Sequence, residues 1–223
     1  MNEETGHETP ESKAGGNRSK EAAATDPGPL SLKPSVSLDL GAQLYEWRNH
    51  TPVLLAILVV AFSVPTARSA TIGTFLVIGG EMLRIYSAAY LGTNTRTRSP
   101  IPLTEGFMQH GPYAYVRHPI YCGNVLILTG FALYSGAVWL TLLCILGFSF
   151  QYYCVAKYED SVLEENLGEE FTTYRRATPA WIPTRPIRLT ELEWPTSWAA
   201  AIEAEKRSLA AIALLFTVLL FLA

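Results

Sequence analysis

The sequence is short of cysteine, short of evenly spread charge and without a basic face, and each shortage removes a class of protein. Its three cysteines, Cys122, Cys144 and Cys154, lie in or beside apolar runs at spacings that suit neither a zinc site nor a disulfide framework. They read as packing residues, and no metal is expected. Charged residues make up only 17% of 223 positions, and the formal net charge of -3 comes largely from the acidic N-terminal stretch, so nucleic acid is not an expected partner. Residues 1 to about 38 hold hardly an aromatic or β-branched side chain and cannot offset the entropy of ordering, so residues 1–40 are expected to form a disordered acidic, Pro- and Ser-rich tail. With no apolar stretch near the start, a cleaved secretory signal is not expected either.

What the sequence does have is apolar runs, within a composition that is 49% hydrophobic. They occupy about 51–66, 70–90, 120–134, 137–155 and 208–223, and each can be a transmembrane helix of a domain covering 41–223. The first is short: its 16 residues rise about 24 Å against a hydrocarbon core of about 30 Å. Arg68-Ser69 and Ser135-Gly136 read as tight turns between neighbouring spans. The expected fold is therefore all-α, an integral membrane bundle of about five transmembrane helices. The tail, the 91–119 loop and the 157–207 segment carry 5, 3 and 7 basic residues, while the two short turns carry only Arg68. The positive-inside rule then puts the N-terminus and both long loops in the cytoplasm. Within the last of these segments, 159–176 has apolar residues at three- and four-residue steps, the pattern of an amphipathic helix, with Gly168 as its weak point.

Three polar groupings stand out against this background. Glu81 and Arg84 lie inside the second run, where a charge costs roughly 2.5 to 3.5 kcal/mol, and at i and i+3 they share a helical face. They are either an ion pair that orients the helix or a pair that holds a ligand in an interior cavity. Tyr113, Arg117, His118, Tyr121 and Gly123 fall where a loop enters the third span, with Pro119 suited to the first turn of that helix. Arg117, His118 and a helix start suit an anion, although tyrosine and arginine also serve as interfacial anchors. Glu159 and Asp160 follow the fourth span on the same expected side and could bind a cation, or simply be solvated.

The order Gly111-Pro112-Tyr113-x-x-x-Arg117-His118-Pro119-x-Tyr121-x-Gly123, an apolar hairpin, Glu159-Asp160-x-x-Leu163, Gly168-x-x-Phe171-x-x-Tyr174 and Pro179-x-x-Ile182-Pro183 resembles the isoprenylcysteine carboxyl methyltransferase family. The related phospholipid N-methyltransferases share much of the pattern. The resemblance runs from about Gly80 to Pro183 and implies a bundle whose cytoplasmic loops and membrane helices enclose S-adenosylmethionine, without a Rossmann-type fold. It implies a cofactor site lined by Tyr113, Arg117, His118, Tyr121 and Gly123, with Glu159 and Asp160 at the cofactor's polar end. Asp160 stands where the family commonly has a second Glu, so its reach is one methylene shorter. Glu159 suits the cofactor's ammonium, and His118 or Arg117 its carboxylate.

The expected acceptor is an amphiphile, lipid-like or prenylated, drawn from among the membrane lipids. Arg84 would orient an acceptor carboxylate, or Glu81 would deprotonate an acceptor amine. Membrane sterol reductases that use a nicotinamide cofactor carry a similar Arg-His-Pro-x-Tyr-x-Gly element, but they are longer, and Ile120 stands where they commonly show Asn. A non-catalytic scaffold is the third reading.

Overall fold

Pro119 supplies the fixed φ that opens a helix, and Thr66 with Ser69 supplies another helix start. The Ser69 amide donates to Thr66 Oγ1 (3.1 Å) while the Thr66 amide donates to Ser69 Oγ (3.0 Å), a reciprocal cap in which serine replaces the usual acid. Arg68-Ser69, read as a turn from composition, is therefore the first turn of a helix. The computed structural model describes residues 36–91, 108–186, 194–195 and 197–222, and among these residues the fold is all-helical, without strands. The helices are α1 (Val36–Trp47), α2 (Thr51–Ala61), α3 (Ala67–Leu91), α4 (Pro119–Tyr134), α5 (Val138–Leu167), α6 (Glu169–Ala177) and α7 (Trp198–Leu222), with a 3-10 turn at Gly111–Ala114. Of the tail expected to be disordered, residues 1–35 lie outside the described residues, as does most of the 91–119 loop, residues 92–107.

Two helices, α3 and α5, are long and apolar enough to cross a membrane, while α2 and α4 are shorter apolar helices of 11 and 16 residues. Their outward faces are those of a membrane protein: Leu54, Ile57, Phe75, Met82, Leu146 and Phe150 are all exposed. Only 28% of the apolar stretch of α5 is buried inside the protein, far less than a soluble core helix would show.

The helix bounds differ from the apolar runs in three instructive places. α2, the helix of the first apolar run, stops at Ala61 rather than near Thr66, where the Val64 amide donates to the Ser135 carbonyl (2.8 Å) instead of continuing the helix, tying the two short connections together at one end of the bundle. α5 does not end with its apolar run but continues as one 30-residue helix through Glu159 and Asp160. The expected amphipathic helix over 159–176 is thus broken at Gly168, whose φ of +57° ends α5 and starts α6. α7 begins ten residues before its apolar run, because Ala201 and Glu205 lie on the same buried face as Leu219.

α3 and α4 are the most closely packed pair, and glycine makes this possible. Gly73 faces Gly130 and Gly80 faces Gly123, two antiparallel pairs seven residues apart. A Cβ at Gly73 would sit 2.5 Å from the Gly130 oxygen, and one at Gly80 would sit 2.7 Å from the Gly123 oxygen. Only backbone against backbone fits there.

Candidate functional site

The segment entering α4 is held from both sides. Tyr90's ring lies against Gly111, whose φ is +59°, and the Tyr174 hydroxyl donates to the Tyr113 carbonyl (2.7 Å). The chain leaving α6 crosses the start of α4, so that the amides of Arg117 and His118 donate to the carbonyls of Pro179 (2.9 Å) and Ala180 (3.3 Å). The Gly168 to Pro183 part of the motif therefore acts as a strap that closes over the Arg117-His118 part.

Arg117 and His118 meet the acidic pair of α5. Arg117 forks onto Asp160, with Nη2 2.7 Å from Oδ2 and Nε 3.4 Å from Oδ1, and its Nη1 donates to the carbonyls of Thr178 and Arg175. His118, only 8% exposed, sets Nε2 3.0 Å from Asp160 Oδ1 and Nδ1 3.6 Å from Glu159 Oε2. The Tyr121 hydroxyl donates to Glu159 Oε1 (2.6 Å), and the Tyr121 ring stacks on Tyr152 with centroids 5.0 Å apart. Asp160 thus spends both oxygens on positioning Arg117 and His118, whereas Glu159 keeps the freer carboxylate.

Tyr113 is buried, and its hydroxyl has no hydrogen-bond partner among the described residues. Burial, helped by nearby Tyr174, Glu159 and Glu205, pushes that hydroxyl's pKa well above its ordinary value. Gly123 belongs to the α3–α4 crossing, where a Cβ would strike the Arg84 stem at 2.5 Å and the Gly80 oxygen at 2.7 Å, so helix packing accounts for it.

The second cluster is larger than the sequence suggested. Arg84 Nη2 donates to Glu205 and its Nη1 donates to Ser208 Oγ (2.9 Å), while Glu81 Oε2 lies 3.7 Å from the guanidinium and accepts from Ser208 (3.2 Å). Two carboxylates and a hydroxyl already engage Arg84, so the group expected to orient an acceptor carboxylate is occupied by acids of its own. Glu205 and Ser208, both on α7, were not singled out from the sequence. The signal was present in the small or polar residues at 201, 205 and 208, steps of four and three that mark one helical face.

Beside this cluster is a cavity of about 130 Å³ to which α2, α3, α4, α5 and α7 all contribute. Arg84, Asn124, Tyr152 and Ser208 give it polar points, and Leu55 and Phe131 are among its apolar walls. Tyr152 joins the two clusters, since it lines the cavity and stacks on the tyrosine that holds Glu159.

The basic and aromatic segment of Arg117, His118 and Tyr121 thus meets the acidic pair Glu159 and Asp160 in an all-helical protein. Residues 69–170 match the phospholipid methyltransferase family, a membrane methyltransferase family related to the isoprenylcysteine carboxyl methyltransferases, which bears out the resemblance. Among curated proteins, the chain is similar to the nickel-cobalt-cadmium resistance protein NccN of Alcaligenes xylosoxydans xylosoxydans, 27% identical over 169 residues, which are 74% of this chain and 73% of that protein. It is also similar to the cobalt-zinc-cadmium resistance protein CzcN of Cupriavidus metallidurans, 31% identical over 100 residues, which are 45% of this chain and 44% of that protein. No solved structure matches. The family match takes in every predicted site residue and leaves out Glu205 and Ser208.

Proposed function

We propose that this chain is a multi-pass membrane methyltransferase that draws its methyl group from S-adenosylmethionine and passes it to an amphiphilic acceptor on the cytoplasmic side. The observation that carries this reading is the convergence of Arg117, His118 and Tyr121 on Glu159 and Asp160, one stacked tyrosine away from a cavity with apolar walls. In this reading α2, α3, α4, α5 and α7 are the five spans. The two short connections, tied by Val64 and Ser135, then lie across the membrane from the site, and the one basic residue beside them is Arg68, in the first turn of α3.

The residues suit the cofactor's chemistry. Its ammonium wants an acid, and Glu159, held by the Tyr121 hydroxyl and only loosely by His118, is the less committed acid once Asp160 has engaged Arg117 and His118. Its sulfonium and adenine want aromatic walls, supplied by Tyr121 and Tyr152, and the partnerless Tyr113 hydroxyl is a buried donor with nothing yet to bind. Bound there, S-adenosylmethionine supplies an electrophilic methyl group on a positively charged sulfur. The chain's own contribution is positioning, which holds acceptor and methyl in line.

Behind Arg84 and Ser208, which line the cavity, Glu81 and Glu205 face that one arginine, a formal charge of -1. Such a head repels an acceptor carboxylate and favours an amine, with Glu81, behind the cavity-lining Ser208 that donates to it, as the acid that takes its proton. The apolar walls suit the tail of a lipid-like or prenylated acceptor. The test is labelled-methyl transfer by the purified protein in lipid nanodiscs, against long-chain amines, phospholipid amines and prenyl or acyl carboxylates, with products identified by mass. S-adenosylhomocysteine and a methylated amphiphile are expected, the amines leading. Absence of turnover with every acceptor, or oxidation of a reduced nicotinamide instead, would overturn the reading.

A further inference from the structure

α1 brings a cation to the site from outside the region that matches the family. It packs along α5 so closely that a Cβ at Gly41 would lie 2.8 Å from both the Cys154 oxygen and the Tyr158 Cβ, next to Glu159 in the chain. The Tyr45 ring then rests against Tyr158, with centroids 5.8 Å apart. Arg48, just past the end of α1, lays its guanidinium 3.5 Å above the Tyr45 ring and donates from Nη1 to the Tyr45 carbonyl. This sets the guanidinium on the ring that packs against Tyr158, the residue before Glu159 at the acidic end of α5.

Arg48 and Glu159 do not form an ion pair, and among the described residues no acid lies within ion-pair distance of Arg48. Arg117 cannot play the same part, because its donors are committed to Asp160 and to two backbone carbonyls. An acid and a cation held near each other without closing match an α-amino acid, whose ammonium and carboxylate sit on a single carbon.

We infer that Arg48 binds the carboxylate of the methyl donor's amino-acid end while Glu159 binds its ammonium, which makes α1 part of the cofactor site. This rests on the cofactor reading above. The test is calorimetric binding to the full-length protein in nanodiscs, with wild type, Arg48→Gln and Arg48→Lys each titrated with S-adenosylmethionine and with its decarboxylated analogue. Arg48→Gln should weaken S-adenosylmethionine binding by about tenfold or more, the scale of one charge-assisted contact, and leave the analogue's affinity within about twofold. Arg48→Lys should recover part of the loss. Equal losses for both ligands, or none for either, would overturn the assignment, the latter leaving Arg48 as a lipid-headgroup anchor. A wild-type protein that binds neither ligand would overturn the cofactor reading itself, and this inference with it.

Discussion

Replacing Arg84 by glutamine removes the only cation that touches Glu81 and Glu205 among the described residues, and it leaves two largely buried carboxylates without a counter-charge. Breaking a buried ion pair from one side costs about 3 to 5 kcal/mol. Arg84's side chain is 19% exposed, so the lower end applies, about 3 kcal/mol. Glu205→Gln is a different perturbation. It keeps the volume, leaves Arg84 its bond to Ser208, and lets the guanidinium close the 3.7 Å gap to Glu81, so the cluster becomes neutral. Its cost should be about that of one ordinary hydrogen bond, roughly 1 kcal/mol. The difference of about 2 kcal/mol is a factor of roughly 30 in the unfolding equilibrium. Both variants can be compared by reversible sodium dodecyl sulfate titration in mixed micelles, followed by circular dichroism. If Glu205→Gln unfolds as readily as Arg84→Gln, charge balance does not govern this cluster and the reasoning fails.

The two acids of α5 should separate in the same kind of experiment. Glu159→Gln should weaken S-adenosylmethionine binding by about tenfold with stability almost unchanged, whereas Asp160→Asn, which releases Arg117 and His118, should cost about 2 to 3 kcal/mol of stability; titration calorimetry and thermal melting read the two effects. Gly80→Val should destabilise by about 3 kcal/mol because its Cβ would meet the Gly123 oxygen at 2.7 Å, while Gly79→Val, where a Cβ meets nothing within 4 Å, should be close to neutral in chemical unfolding. Tyr113 and Tyr174 both have hydroxyl pKa values raised from 10.0, chiefly by burial. The folded state then holds protons that the unfolded chain releases, so their contribution is complete below about pH 10 and declines above it. Absorbance titration should show Tyr113 and Tyr174 among the tyrosines that ionise only as the protein unfolds, identified by comparison with Tyr113→Phe and Tyr174→Phe; normal ionisation of either in the folded protein would contradict its burial.

The catalytic-looking motif was legible because its residues are chemically costly where they stand. Arg117 and His118 at a membrane entry, and Glu159 and Asp160 at the end of an apolar run, announce themselves by charge, and the fold brings them within hydrogen-bond or ion-pair distance of each other. Helix bounds were less legible, since apolar runs measure lipid contact rather than backbone hydrogen bonding. α5 and α7 both continue beyond their runs into polar sequence that packs against protein. Glu205 was hidden among ordinary surface charges, Glu203, Lys206 and Arg207, and only its rotation about the α7 axis sets it apart. Arg48 was hidden in a stretch too polar to register as part of a bundle. The glycine pairs were visible as residues but not as pairs, because their meaning depends on which two helices cross.

Those glycine pairs also determine what can move. With α3 and α4 in backbone contact, that side of the cavity behaves as a single rigid wall. α2 and α7, which with α5 complete the enclosure, touch each other only sparingly. A bulky guest arriving from the bilayer would therefore part the seam between them, and a covalent clasp across it should slow entry of large acceptors while sparing small ones.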